Sequence, residues 1–256
     1  MTHFETFLQL HQQDEPLLLA NAWDAQSAQL MEACGYKAIG TSSHALATAQ
    51  GYTDGEQLPF PLLLQTVKKM AAAISIPFTA DIEGGYSRTI DGITAHISSL
   101  YDAGVAGINL EDTIAGKERV MQPAAAFQKT ISAIADYISK NNLKIFVNIR
   151  TDAFLLGMPN AVAETLNRVK QYEQAGASGI FVPCITAAGD IQQVVKATRL
   201  PVNVMCMPDL PGFDELQQLG VKRISMGPFF FNKVYEHIRT LSNAVNSHKN
   251  FSAILS

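Results

Sequence analysis

A closed (β/α)8 barrel is the fold this sequence predicts, and three observations point to it. A phrase in which a helix ends, a glycine follows and a strand begins occurs four times; four more apolar runs stand between the repeats; and eight such units suit a chain of 256 residues. The repeats are Ala-Cys-Gly35-Tyr-Lys-Ala-Ile-Gly, Ala-Gly104-Val-Ala-Gly-Ile-Asn-Leu, Ala-Gly176-Ala-Ser-Gly-Ile-Phe-Val and Leu-Gly220-Val-Lys-Arg-Ile-Ser-Met. Glycine takes the left-handed backbone just past a helix end without strain, so each repeat marks a helix stop. The intervening runs are Pro16 to Asn21, Pro77 to Ile82, Lys144 to Ile149 and Pro201 to Met205.

The helices follow in alternation. Asp24 to Ala33 comes after the first strand, Pro61 to Ala73 precedes the third and Asp91 to Ala103 the fourth. Pro123 to Ser139, Asn160 to Ala175, Ala187 to Ala197, Pro211 to Leu219 and a helix from Pro228 onward complete the set. Several begin with proline, Asp or Asn, residues suited to a first turn or cap. A doubly wound open sheet is the alternative, but its dinucleotide-binding form needs a Gly-rich turn after the first strand. Here that turn reads Asn21-Ala-Trp-Asp-Ala.

Composition narrows the class. With 47% hydrophobic and 16% charged residues the chain can bury a large core, and no linker or low-complexity stretch divides it, so residues 1–256 are expected to form one barrel domain. A net charge of -4 with scattered Lys and Arg argues against a nucleic-acid partner. The three cysteines, Cys34, Cys184 and Cys206, lack zinc-site spacing and are too few for a disulfide framework. No run approaches the ~20 apolar residues of a membrane span, and the first fifteen residues do not read as a signal peptide, so a cytoplasmic protein without a membrane partner is expected.

In such a barrel, catalytic groups sit at the C-terminal ends of the strands. The first strand ends in Asn21, Trp23 and Asp24, and the second in Thr41-Ser42-Ser43-His44 before a loop carrying Asp54. The third ends in Asp81 and Glu83, the fourth in Asn109, Glu111 and Asp112, the fifth in Asn148, Arg150 and Asp152, and the seventh adds Asn203 and Cys206. Asp81 and Glu83, Asn109 and Glu111, and Asn148 and Arg150 are each two residues apart, the spacing that turns both side chains to one face of a strand. Three carboxylates and a guanidinium in one space call for an organising cation, and an oxygen-only donor set favours Mg²⁺, with Mn²⁺ as the variant. A structural ion-pair network is the competing explanation. Arg150 is suited to grip a carboxylate or carbonyl oxygen, and the Thr41 to His44 turn offers hydroxyls and N–H groups for a substrate carboxylate.

Asn21-Ala-Trp-Asp-Ala, Thr41-Ser-Ser-His, Gly51-Tyr-Thr-Asp54-Gly, Thr79-Ala-Asp81-Ile-Glu83-Gly-Gly-Tyr, Gly107-Ile-Asn-Leu-Glu111-Asp and Asn148-Ile-Arg150-Thr-Asp-Ala-Phe together resemble the isocitrate lyase / phosphoenolpyruvate mutase superfamily, over about Pro16 to Pro228. The resemblance implies a Mg²⁺ enzyme acting on small 2-oxo or 2-hydroxy acids, with its last helix swapped between subunits of a homodimer or homotetramer. It places the metal carboxylates on Asp81, Glu83 and Glu111, Asp54 near the metal through water, the substrate arginine on Arg150 and the carboxylate-holding turn on Ser42, Ser43 and His44. Trp23, Asn109 and Asn148 join Arg150 as expected substrate contacts, and Arg150 and Asp54 are the expected catalytic pair. Glu83 stands where many members have Asp, so its longer reach implies a water-mediated contact.

One departure lies after the fourth strand. Isocitrate and methylisocitrate lyases carry a Lys-Lys/Arg-Cys-Gly signature there, whereas this chain reads Asp112-Thr-Ile-Ala-Gly-Lys-Glu-Arg-Val-Met-Gln122. Neither of those two activities is expected, and Lys117, Glu118 or Arg119 is available to close over the substrate instead. The expected function is Mg²⁺-dependent C–C bond cleavage of a small 2-oxo or 2-hydroxy (di)carboxylic acid through a stabilised enolate. The alternatives are P–C chemistry on phosphonopyruvate, as a mutase or hydrolase, and a non-catalytic barrel that binds a keto acid. Schiff-base chemistry is disfavoured because Lys144 and Lys222 sit at strand beginnings.

Overall fold

The computed structural model describes residues 1–116 and 118–255; Lys117, one of the three loop residues expected to close over the substrate, lies outside them. Its strands are β1 (Leu17–Ala22), β2 (Ile39–Thr41), β3 (Phe78–Asp81), β4 (Gly107–Glu111), β5 (Thr113–Ile114), β6 (Val120–Met121), β7 (Phe146–Arg150), β8 (Gly179–Val182), β9 (Val202–Met205) and β10 (Arg223–Ser225). All but β5 and β6 close into the expected barrel, in the order β1-β10-β9-β8-β7-β4-β3-β2, and every ladder in it is parallel. The barrel strands are almost wholly buried on both faces, as parallel strands must be when helices cover the outside and side chains fill the inside.

The helices are α1 (His3–Gln12), α2 (Ala25–Ala33), α3 (Ser43–Ala49), α4 (Phe60–Ala71), α5 (Ile90–Asp102), α6 (Ala124–Lys140), α7 (Ala161–Gln174), α8 (Ala188–Lys196), α9 (Phe213–Leu219), α10 (Phe229–His248) and α11 (Ser252–Leu255). The outer ones dock by apolar stripes at helical spacing. α5 buries Ile93, Ile97 and Leu100, and α6 buries Phe127, Ile131 and Ile134. Each such side chain contributes about 1.5–3 kcal/mol when fully removed from water. The expected helix stops hold: Gly104 and Gly220 sit at φ 86° and 89°, in the left-handed region.

Three elements were not legible in the sequence. α1, held by a capping box between Thr2 and Glu5, closes the N-terminal mouth of the barrel. Its Phe7 and His11 pack on Phe146, with Phe7–Phe146 ring centres 5.5 Å apart. Beneath Phe7 lies Arg223, wholly inside the barrel, its guanidinium 5.8 Å from the Phe7 ring centre. Burial, with the Arg223 charge adding to it, holds His11 down to about 3, so the imidazole is neutral. α3 begins directly after β2, capped by Ser42, where an irregular loop was expected. The third is the antiparallel hairpin β5–β6 rising from the end of β4.

Candidate active site

At the C-terminal mouth the strands enclose a cavity of about 430 Å³. Asn21, Asp81, Asn109 and Ser225 line it from the strands, Thr41, Ser42, Ser43 and His44 from the β2–α3 turn, and Arg150, Phe181 and Met205 from the far side. Leu155, Leu156, Pro183, Gly227 and Pro228 form the rim, and Asp54 and Arg119 reach in from loops. Ladder register explains the assembly. Asp81 pairs with Asn109, Asn109 with Asn148, and Glu111 with Arg150, so inward positions of adjacent strands arrive together at one end.

Asp81 is the last residue of β3. Its N–H donates to Thr41 Oγ1 at 2.7 Å, its Oδ1 accepts from the Glu83 N–H at 3.1 Å, and its carboxylate faces the cavity. Burial raises its pKa, against the opposing charge of Arg150. Arg150 donates through Nε to Asp152 Oδ1 at 2.6 Å and through Nη2 to Asp152 Oδ2 at 3.2 Å, and its Nη1 lies 3.0 Å from Glu111 Oε2. Burial pulls Arg150 downward, yet Glu111 and Asp152 outweigh it and keep the guanidinium firmly charged. Asn21 holds the opposite wall, its Oδ1 accepting from the Met226 and Gly227 N–H groups at 2.8 and 2.9 Å.

Glu83 departs from expectation. Strand alternation would aim it with Asp81, but β3 stops at Asp81 and Glu83 sits at φ 48°, left-handed, which ends the period of two. Its two carboxylate oxygens accept from the Glu56 N–H at 2.9 and 3.0 Å, and Oε1 also accepts from Tyr86 Oη at 3.1 Å. It therefore faces the loop behind Asp81 and not the cavity. Burial, aided by Asp54 and Asp81, pushes its pKa up to about 8. Gly84 allows this turn: a Cβ there would lie 3.2 Å from both Glu56 Oε1 and the Thr113 carbonyl.

Glu111 also stands behind the cavity wall. Its Oε1 accepts from Thr113 Oγ1 at 2.9 Å and from Arg119, and burial raises its pKa while Arg150 restrains it. Two expected substrate contacts lie elsewhere. Trp23 points outward to Phe231, ring centres 5.2 Å apart, because α2 begins there and the chain leaves the barrel. Asn148 lies below the cavity, donating to Asn109 Oδ1 at 2.9 Å and Asn203 Oδ1 at 3.2 Å. Asp112 is structural: fully buried, it accepts from Arg168 Nη1 at 3.1 Å and Tyr172 Oη at 2.9 Å.

Glu56 and Tyr86 were absent from the expected site, Asp152 was expected only at its strand end with no role assigned, and Arg119 only as one of three loop residues available to close over the substrate. Asp152 repeats the two-residue step after Arg150, a signal present in the sequence. Arg119 depends on the β5–β6 hairpin folding back, which no local pattern announces. Lys222, by contrast, reaches the carbonyl of Gln13 at the opposite end, far from the cavity.

The donor set fits a hard divalent cation through charge and chemistry. Asp54, Glu111 and Asp152 lie against the guanidiniums of Arg119 and Arg150, Asp81 faces the same cavity, and Asp54 Oδ1 is buried without a hydrogen-bond partner among the described residues. Those residues contain no preassembled group of three His, Cys, Asp or Glu side chains around one point, so the expected set of Asp81, Glu83 and Glu111 is not gathered as a triad. Asp81 and Asp54 face the cavity, with Glu111 and Glu83 immediately behind.

A closed barrel with carboxylates, amides and a guanidinium at its strand C-termini is the architecture of a barrel enzyme. The chain belongs to the phosphoenolpyruvate phosphomutase family, whose family model matches residues 7–246. An uncharacterized protein of Mycobacterium tuberculosis (strain ATCC 25618 / H37Rv) is 34% identical over 222 residues, covering 87% of this chain and 81% of its own. An oxaloacetate decarboxylase of Bradyrhizobium sp. (strain BTAi1 / ATCC BAA-1182) is 27% identical over 80% of this chain and 70% of its own. A crystal structure from Burkholderia cenocepacia J2315 is 32% identical with a TM-score of 0.89, covering 94% of this chain and 99% of that one. A phosphonopyruvate hydrolase in complex with oxalate and Mg²⁺ shares the fold, at TM-score 0.88 and 20% identity over 100% of this chain and 90% of that one.

Proposed function

We propose that this protein is a Mg²⁺-dependent lyase that cleaves a C–C bond in a small 2-oxo or 2-hydroxy (di)carboxylic acid. The observation that carries the reading is the shared cavity into which Asp81, Arg150 and the Thr41 to His44 turn all face. The oxaloacetate decarboxylase relative supports the substrate class, and the phosphonopyruvate hydrolase, bound to oxalate and Mg²⁺, supports the cofactor. Asp81 and Asp54 would hold the cation, with Glu111 and Glu83 supplying charge behind them. When bound, it would supply Lewis-acid stabilisation of the charge that develops on an enolate oxygen.

The chain's own groups do the remaining work. Arg150, fixed on two sides by Asp152 and Glu111, grips a substrate carboxylate or carbonyl oxygen without reorganising. The Ser42 and Ser43 hydroxyls, with His44, orient the substrate from the opposite wall. Phe181, Leu155 and Leu156 exclude water from the reacting carbons. Thr113 Oγ1 lies within 2.9 Å of Glu111 Oε1 and 2.7 Å of Asp152 Oδ2 and is wholly buried, which suits positioning those carboxylates and not attack on substrate. A panel of 2-oxo and 2-hydroxy acids with Mg²⁺, read by keto-acid release, tests the reading. Phosphate release from phosphonopyruvate would instead assign P–C chemistry, full activity in EDTA would refute metal dependence, and tight binding without turnover would mark a binding barrel.

The expected assembly enters as a proposal too. α10 leaves Phe230, Val234, Tyr235 and Ile238 exposed along a groove of about 640 Å³ that Trp23 and Leu30 also line, and a second copy exchanging this helix would cover it. Among the described residues no helix is long and apolar enough to cross a membrane; the expected cytoplasmic location stands as a proposal.

A further inference from the structure

Arg119 stands just before β6, and the hairpin folds it back over the end of β4. Pairing of Thr113 with Met121 and of Ile114 with Val120, closed by the Gln122 N–H to Asp112 carbonyl bond at 2.9 Å, fixes where its side chain starts. Its guanidinium then reaches carboxylates from three separate segments. Nη1 bonds Glu111 Oε1 and lies 3.4 Å from Asp152 Oδ2, and Nη2 lies 3.9 Å from Asp54 Oδ2. Nη1 also donates to Thr113 Oγ1 at 3.1 Å, and the side chain, 20% exposed, lines the cavity.

Two of the carboxylates that Arg119 holds, Asp54 and Glu111, are those proposed above to hold the cation and to supply charge behind it, so ion and guanidinium draw on the same negative charge. A guanidinium is permanently charged and cannot be displaced by losing a proton. A metal ion entering this cluster must therefore compete with a cation already tethered there. We propose that Arg119 is a built-in counter-cation that competes with the divalent cation for the charge of Asp54 and Glu111, and so sets the metal affinity of this protein. The inference rests on the metal reading above. It assigns the loop a different task from acid–base chemistry: a guanidinium is a permanent cation, and once released by the metal it faces the cavity it already lines, as a second anion grip beside Arg150.

The test is isothermal titration of Mg²⁺, and of Mn²⁺ as a second probe, into wild type, R119Q and R119K without substrate, alongside thermal melts with and without metal. R119Q should bind Mg²⁺ about ten-fold more tightly, because carboxylates no longer compensated by the guanidinium make a stronger cation site. Without metal R119Q should melt below wild type, and saturating Mg²⁺ should close the gap. R119K, whose single ammonium cannot span three carboxylates, should show a smaller gain, and it decides the matter if R119Q does not fold. Wild-type or weaker affinity in the folded variants overturns the proposal while leaving the metal reading intact. Absence of Mg²⁺ and Mn²⁺ binding in both wild type and variants overturns both.

Discussion

Replacing Arg150 by alanine should do more than remove a substrate contact. The guanidinium makes two hydrogen bonds to Asp152, at 2.6 and 3.2 Å, and lies 3.0 Å from Glu111. Both carboxylates are buried, with side chains 0% and 1% exposed. Deleting one member of a buried ion cluster costs about 3–5 kcal/mol, because the remaining charges stay desolvated. Arg119 still reaches both carboxylates and offsets part of this, which places the loss near 3 kcal/mol, or about 6–12 °C in Tm for a chain of this size. The loss should also depend on pH. Burial already raises the Glu111 pKa and Arg150 is what opposes it, so in the variant the folded state binds a proton more readily than the unfolded chain does. The variant's stability therefore recovers as pH falls, and its deficit at pH 6 should be smaller than at pH 8. Urea unfolding followed by circular dichroism at both pH values measures this. A deficit below about 1 kcal/mol, or one of equal size at both pH values, would refute the claim that Arg150 neutralises the buried cluster.

Four further outcomes are expected. Glu83→Gln keeps an acceptor for the Glu56 N–H and Tyr86 Oη but removes the buried charge, so at pH 8 without metal it should be as stable as wild type or more so; calorimetry showing a large loss would contradict the assigned burial effect. Because the folded pKa of Glu83, about 8, lies above its ordinary 4.5, the metal-free protein should lose stability as pH rises through that window, by up to about 1.4 kcal/mol per pH unit for this proton. Added Mg²⁺ should raise Tm more at pH 8 than at pH 5, since it needs ionised carboxylates, and a thermal-shift series checks both. Gly179→Ala would put a Cβ 2.8 Å from the Phe146 ring and 2.9 Å from Asn148 Oδ1, so a loss of about 1–3 kcal/mol in chemical denaturation is expected.

Much of the fold was legible because its signals are local. A glycine past a helix end and an apolar run after it need only their own neighbours to be recognised, and eight such units in 256 residues leave few architectures. Asp81, Asn109 and Arg150 could be assigned to one space for the same reason, since they share strand ends and a period of two. Trp23 failed that reasoning because it lies past β1, where inward and outward alternation no longer applies. Asn148 failed by depth: it faces inward as expected but one layer below the cavity.

The barrel, its polar end, the family resemblance and the excess of carboxylates there can all be read along the chain. How those charges are shared depends on contacts between distant segments. Glu83 turns away because the backbone becomes left-handed two residues after Asp81, and the Glu56 N–H that receives it comes from a different loop. Arg119 joins Glu111, Asp152 and Asp54 because a short hairpin folds back over β4. Such partnerships depend on strand register and on loops meeting in space, and charge pairing at 3 to 4 Å leaves no trace in the spacing of residues along the chain.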